Sequence, residues 1–251
     1  MDRKRATLTG LAAILLWSTM VGLIRSVSEG LGPVGGAAMI YTVSGLLCLV
    51  TVGFPDLRRF STRYLLAGSI LFVSYEMCLA LSLGYAATRS QAIEVGMVNY
   101  LWPSLTIAFA ILFNGQKTTL WVIPGLLISL LGVCWVLGGE NGLQLNDIMQ
   151  NVVTSPLSYG LAFAGAFIWA AYCTVTSKYA KGQNGITLFV LLTALSLWVK
   201  YAVSDQPEMV FSVPVVVKLL MCGVALGFGY AAWNIGILHG NVTVLAAVSY
   251  F

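Results

Sequence analysis

Unbroken apolar runs close to 20 residues long recur along the whole chain, and they constrain its fold more than any other feature. Eight lie at Leu8 to Ile24, Gly32 to Phe54, Tyr64 to Ala86, Ala92 to Phe113, Leu120 to Gly138, Leu157 to Ser177, Gly185 to Tyr201 and Val213 to Ile237. A helix needs about 20 apolar residues to cross the hydrocarbon of a bilayer. No water is at hand there for backbone N–H and C=O groups, so only helices or a closed barrel satisfy them. A barrel would alternate apolar and polar residues over segments of about 10, and these runs do not alternate. Composition agrees: 59% of the 251 residues are hydrophobic and 9% charged, against about 25% charged in a soluble domain. The expected fold is an all-α polytopic membrane protein whose principal partner is the lipid bilayer.

Basic residues orient it. With sides numbered alternately, the side of the N-terminus receives Arg3, Lys4, Arg5, Arg58, Arg59, Arg63, Lys117, Lys178 and Lys181, nine in all. The other side receives four, Arg25, Arg89, Lys200 and Lys218. Cytoplasmic loops carry the excess of Lys and Arg, which puts the N-terminus in the cytoplasm. The formal net charge of +4 is thus a matter of topology, not of nucleic-acid binding. The basic start before Leu8 resembles a signal peptide, but no small-residue cleavage site follows, so an uncleaved first helix is expected. Cys48, Cys78, Cys134, Cys173 and Cys222 fall inside apolar runs without ligand spacing, and His239 has no Cys or His neighbour in sequence. Neither a metal nor a cofactor is expected.

The two halves echo each other at an offset of about 150 residues, as expected of two copies of one five-helix unit. Gly10-Leu11-Ala12 recurs as Gly160-Leu161-Ala162, Trp17 as Trp169, Gly84 as Gly236, and Val98-Asn99-Tyr100 as Val248-Ser249-Tyr250. Five is odd, so the second unit enters the membrane from the opposite side. Inverted repeats of this kind belong to transporters that expose a central site alternately to each face. The units are expected at 1–138 and 157–251, joined by an external loop at 139–156. A ninth run starts at Val242 and covers about half a crossing by Phe251. Nothing follows to match residues 102–138, so about 40 further residues are expected, completing ten spans.

Polar and aromatic residues at mid-span mark the candidate site. Trp121, Trp135 and Trp198 sit near run ends, where an interfacial belt places tryptophan. Trp17, Trp102 and Trp169 sit near mid-span, where an indole N–H needs a partner inside the bundle. Helical spacing groups Trp169 with Tyr172 and Thr176, Asn99 with Trp102 and Thr106, Tyr75 with Cys78 and Ser82, and Tyr230 with Trp233 and Asn234. These residues and Tyr100 are expected to line a cavity for a solute with a flat apolar body and a polar end. The competing reading is ordinary helix packing. Glu76 lies mid-span, where a bare charge costs at least about 2.5–3.5 kcal/mol. It is a candidate substrate partner or proton carrier, and Glu94, nearer the end of its span, is a second. Pro103 removes a backbone donor beside Trp102 and marks a candidate hinge. No zinc-binding, nucleophile-elbow or phosphate-cradle signature is present.

Several runs resemble the drug/metabolite transporter superfamily of EamA-like proteins. They are Trp17-Ser18-Thr19, Ser74-Tyr75-Glu76, Glu94 through Pro103, and Trp233 through Gly240. Within that superfamily they are most similar to the YddG-type aromatic amino acid exporters of Gram-negative bacteria. The resemblance implies ten spans with both termini cytoplasmic in the inner membrane, and export of phenylalanine, tyrosine and tryptophan. Methyl viologen efflux is also associated with that family. A monomer is expected. Two alternatives stand beside this reading: an exporter of another small metabolite or drug on the same fold, and a membrane-embedded enzyme or assembly factor.

Overall fold

The computed structural model describes residues 2–115, 122–137 and 145–250. Among these every regular element is a helix, without a strand. In order the helices are α1 (Arg3–Trp17), α2 (Met20–Leu31), α3 (Pro33–Thr51), α4 (Thr62–Gly84), α5 (Arg89–Asn99) and α6 (Trp102–Asn114). They continue as α7 (Val122–Leu137), α8 (Leu145–Thr154), α9 (Pro156–Tyr179), α10 (Ile186–Val203), α11 (Val213–His239) and α12 (Val242–Val248). Among the described residues six segments are long and apolar enough to cross a membrane, counting α5 and α6 together, and α1 with α2 makes a seventh if the bent pair is one span. The protein is a multi-pass membrane protein.

Short polar residues begin several helices by accepting an otherwise orphan amide. Ser61 accepts from the Tyr64 amide at 3.2 Å, Thr88 from Gln91 at 3.0 Å and Asn241 from Val244 at 3.3 Å. Gly32, at φ +73°, turns α2 directly into α3, a backbone region that favours glycine.

Two runs that read as continuous are broken. The first bends by 44° between α1 and α2. At the bend Ser18 donates its hydroxyl to the Leu15 carbonyl at 2.8 Å and Thr19 to Leu16 at 3.2 Å, local bonds that compete with the helical ladder. The fourth breaks at Tyr100 and Leu101, because Pro103 lacks the N–H that would meet the Asn99 carbonyl. A third difference concerns the polar connection at 139–156, expected as a loop, which contains α8.

The bundle closes by small residues. α1 crosses α11 where Gly10 meets Gly236, so tightly that a Cβ on Gly10 would lie 3.0 Å from the Gly236 Cα. α4 packs along α9, and α3 lies between α10 and α11. Leu15, Val50, Ile70 and Leu112 point outward, as lipid-facing residues do. Trp135 is exposed, while Trp198 donates to the Thr42 hydroxyl at 2.9 Å. Trp121 lies outside the described residues.

Candidate functional site

The breaks in the first and fourth runs face each other across the bundle, and a cavity lies between them. Its walls come from α1, α2, α4, α5, α6, α9, α11 and the turn after α12, and its free volume is about 70 Å³, so a ring-sized solute enters only as the surrounding rings part. Trp17, Tyr75, Asn99, Tyr100, Trp102, Trp169 and Tyr230 line it.

The rings form one connected cluster. Trp17 lies 5.0 Å from Tyr230 and 5.3 Å from Trp233 between centroids. Tyr75 stands 4.4 Å from Trp169, and Trp102 meets Trp233 edge to face at 5.3 Å. Phe72 joins Tyr172 and Tyr230 at 5.2 and 5.1 Å. The Trp102–Trp233 pair and both Phe72 pairs are edge to face, a favourable geometry for rings.

Polar groups around the cavity are unevenly satisfied. Asn99 donates to the Tyr75 hydroxyl at 3.4 Å, while its Oδ1 has no partner among the described residues. The Trp17 and Trp233 indole nitrogens are likewise without one; the Cys173 thiol sits beside Trp233 but does not meet hydrogen-bond geometry. Leaving such groups unmet costs about 1–3 kcal/mol each, a cost that a polar ligand relieves.

Six candidates stand outside the cavity wall. Glu76 is fully buried one layer behind it, where Tyr41 of α3 donates to its Oε2 and Tyr230 lies on its other side. Tyr172 donates to Asn234 Oδ1 at 2.9 Å, and Asn234 in turn donates to Asn184 at 2.8 Å. Trp233 is buried beneath the cavity. Glu94 belongs to a separate cluster: it accepts from Tyr159 at 2.7 Å and from Asn151 of α8 at 3.0 Å. Pro103 sits at the start of α6, directly after the break.

The face of α4 that reaches the cavity carries Tyr75, Leu79 and Leu83, rather than Cys78 and Ser82. Four-residue steps would have found the two leucines. Met20, Val21 and Leu226 also line it, and no residue-type signal distinguishes them from core. Tyr41 had a signal: a tyrosine deep in an apolar run needs a partner for its hydroxyl. At the end of the bundle away from the N-terminus, Arg89 pairs with Glu29 at 2.7 Å, joining α5 to α2. Among the described residues no three His, Cys, Asp or Glu are arranged to hold a metal ion.

Bundle and cavity together define a polytopic helical membrane protein with a ring-lined site buried in its middle. The chain belongs to the EamA-like transporter family, which it matches over residues 4–138. Over all 251 residues it is 73% identical to the aromatic amino acid exporter YddG of Salmonella typhimurium (strain 14028s), covering 86% of that protein. It is 72% identical to YddG of Escherichia coli K12, again over the whole chain and 86% of the relative. A more distant exporter of the same name, from Ancylobacter novellus, is 28% identical over 261 aligned residues, covering the whole chain and 85% of that protein. A crystal structure 23% identical in sequence superposes with a TM-score of 0.76 over 99% of this chain and 84% of its own, a likeness of fold.

Proposed function

We propose that the protein exports aromatic amino acids across the bacterial inner membrane. The observation that carries this is the pairing of high identity to exporters of that name along the whole chain with a buried cavity walled by Trp17, Tyr75, Trp102, Trp169 and Tyr230. The flat ring of the solute lies against those side chains, each contact worth about 0.5–1.5 kcal/mol beyond burial. The polar end meets Asn99 and the Tyr75 hydroxyl. Glu76, behind Tyr230, is a proton carrier rather than a direct ligand, and Glu94 holds α5, α8 and α9 together.

Transport proceeds by alternating access of two inverted five-helix halves, the first in residues 1–138 and the second beginning at residue 157. Two features support the repeat. The packing of α1 on α11 has its counterpart in that of α9 on α4. The helices α5 and α12 both give way to a turn within one residue of equivalent places, Tyr100-Leu101 and Ser249-Tyr250. The N-terminus is cytoplasmic, by the distribution of basic residues, and the unit is a monomer.

A zwitterion carries no net charge, so the membrane potential does not drive its passage. Methyl viologen, a dication, differs: exporting it against about 100 mV costs roughly 4.6 kcal/mol, so either a proton is exchanged, with Glu76 the carrier, or that activity is indirect. The test is flux of radiolabelled phenylalanine in proteoliposomes. Saturable flux, inhibited by tyrosine and tryptophan but not by nucleosides, is expected; inhibition by nucleosides alone would favour another metabolite exporter on this fold.

A further inference from the structure

A second cavity, about 260 Å³, lies at the end of the bundle that carries the N-terminus. Arg3 of α1, Ala110 and Asn114 of α6, Cys173 and Ser177 of α9, and Asn241 ahead of α12 line it. Continuous helix faces join it to the central cavity. On α6, Trp102 lines the central cavity, Ala110 and Asn114 line the second, and Thr106 lies between. Four-residue steps put all four on one face. On α9, Trp169, Cys173 and Ser177 make the same progression. Because α6 packs on α9, the two stripes form one lane. Tyr230 of α11 borders the central cavity and Gly240, just past the end of α11, the second, with Trp233 between them in sequence. The partition is therefore Thr106, Cys173 and Trp233, each wholly buried.

The second cavity has a chemistry of its own. Asn114 commits its amide nitrogen to the Thr174 carbonyl at 3.2 Å, which leaves its buried Oδ1 as an acceptor with no partner among the described residues. Arg3 supplies a cation across the cavity. A lone acceptor and a guanidinium facing one space complement a zwitterion, the ammonium meeting Asn114 and the carboxylate meeting Arg3.

We propose that this cavity is a loading vestibule, where the zwitterionic end of an amino acid binds between Arg3 and Asn114 before the Trp233 partition parts and the ring enters the central cavity. The inference rests on the export reading above. In proteoliposomes, Ser177→Cys is treated with a bulky, membrane-impermeant thiol reagent on the face of the N-terminus, with the wild type treated alike. Labelled Ser177→Cys is expected to lose phenylalanine flux while treated wild type keeps it. Asn114→Ala is expected to raise the half-saturating phenylalanine concentration roughly 10-fold, the loss of one bond to a charged group. Labelled Ser177→Cys transporting at the wild-type rate overturns the vestibule. If untreated wild type carries no phenylalanine at all, the export reading fails instead. Protection of Ser177→Cys from the reagent by phenylalanine then decides the vestibule alone: slower labelling supports it, and an unchanged rate overturns it.

Discussion

The indole of Trp17 rests on the bare backbone of Gly229, so closely that a Cβ there would collide with the indole nitrogen. Trp17 is the last residue of α1 before the bend, and its ring also touches Trp169, Tyr230 and Trp233. A methyl at 229 has nowhere to go except into that ring. Gly229→Ala is expected to destabilise the protein by about 1–3 kcal/mol, the usual cost of overpacking, and to push the indole into the cavity. Melting temperature in detergent and phenylalanine flux should both fall. Gly160→Ala, with open space around its position, serves as the control and should change neither.

Glu76 and Tyr41 make the second case. A buried carboxyl held by one phenol is sensitive to the loss of that donor. Tyr41→Phe should cost about 1–3 kcal/mol, visible as a lower melting temperature. Glu76→Gln keeps the shape and removes the titratable proton, so flux should persist while its response to an imposed pH gradient disappears. A Gln variant that still follows the gradient would falsify the proton role.

Trp102 and Trp169 wall the cavity from α6 and α9. Truncating either to alanine removes a ring contact worth about 0.5–1.5 kcal/mol. The half-saturating phenylalanine concentration should rise by roughly 2- to 10-fold per ring. Competition by leucine, which has no ring to stack, should change less. Equal losses for leucine and phenylalanine would mean that the rings support the bundle instead of reading the solute.

The sequence revealed the spans because the bilayer demands long apolar runs, and it revealed the cavity rings because an indole at mid-span is conspicuous. It also located the helix break before α6, since Pro103 lacks a donor whatever surrounds it. What it hid depends on packing between distant segments. Glu76 faces α3 because Tyr41 is there, a pairing across 35 residues with no local trace. Leu79 and Leu83 line the cavity, yet leucine is the commonest lipid-facing residue as well. Tyr172 and Asn234 share helical faces with cavity residues but are bonded to each other instead. The bend after Trp17 was obscured because Ser18 and Thr19 are tolerated in straight helices; only their bonds to Leu15 and Leu16 show the break.

Pro103 supplies the sharpest test of motion. The Asn99 carbonyl lacks a helical donor because residue 103 has no amide, and the chain turns at Tyr100-Leu101 between two half-helices. Both Tyr100 and Trp102 reach the cavity from this turn. Pro103→Ala returns the amide, so the Asn99 carbonyl gains a bond worth about 0.5–1.5 kcal/mol and α5 runs on into α6. The variant should melt at a higher temperature than the wild type. If the turn is where one half rocks against the other, its stiffening slows the conformational step more than it weakens binding. Maximal flux should then fall while the half-saturating concentration changes little. Higher stability with unaltered maximal flux would mean that the break only shapes the wall, and the moving joint would have to be sought at the bend between α1 and α2.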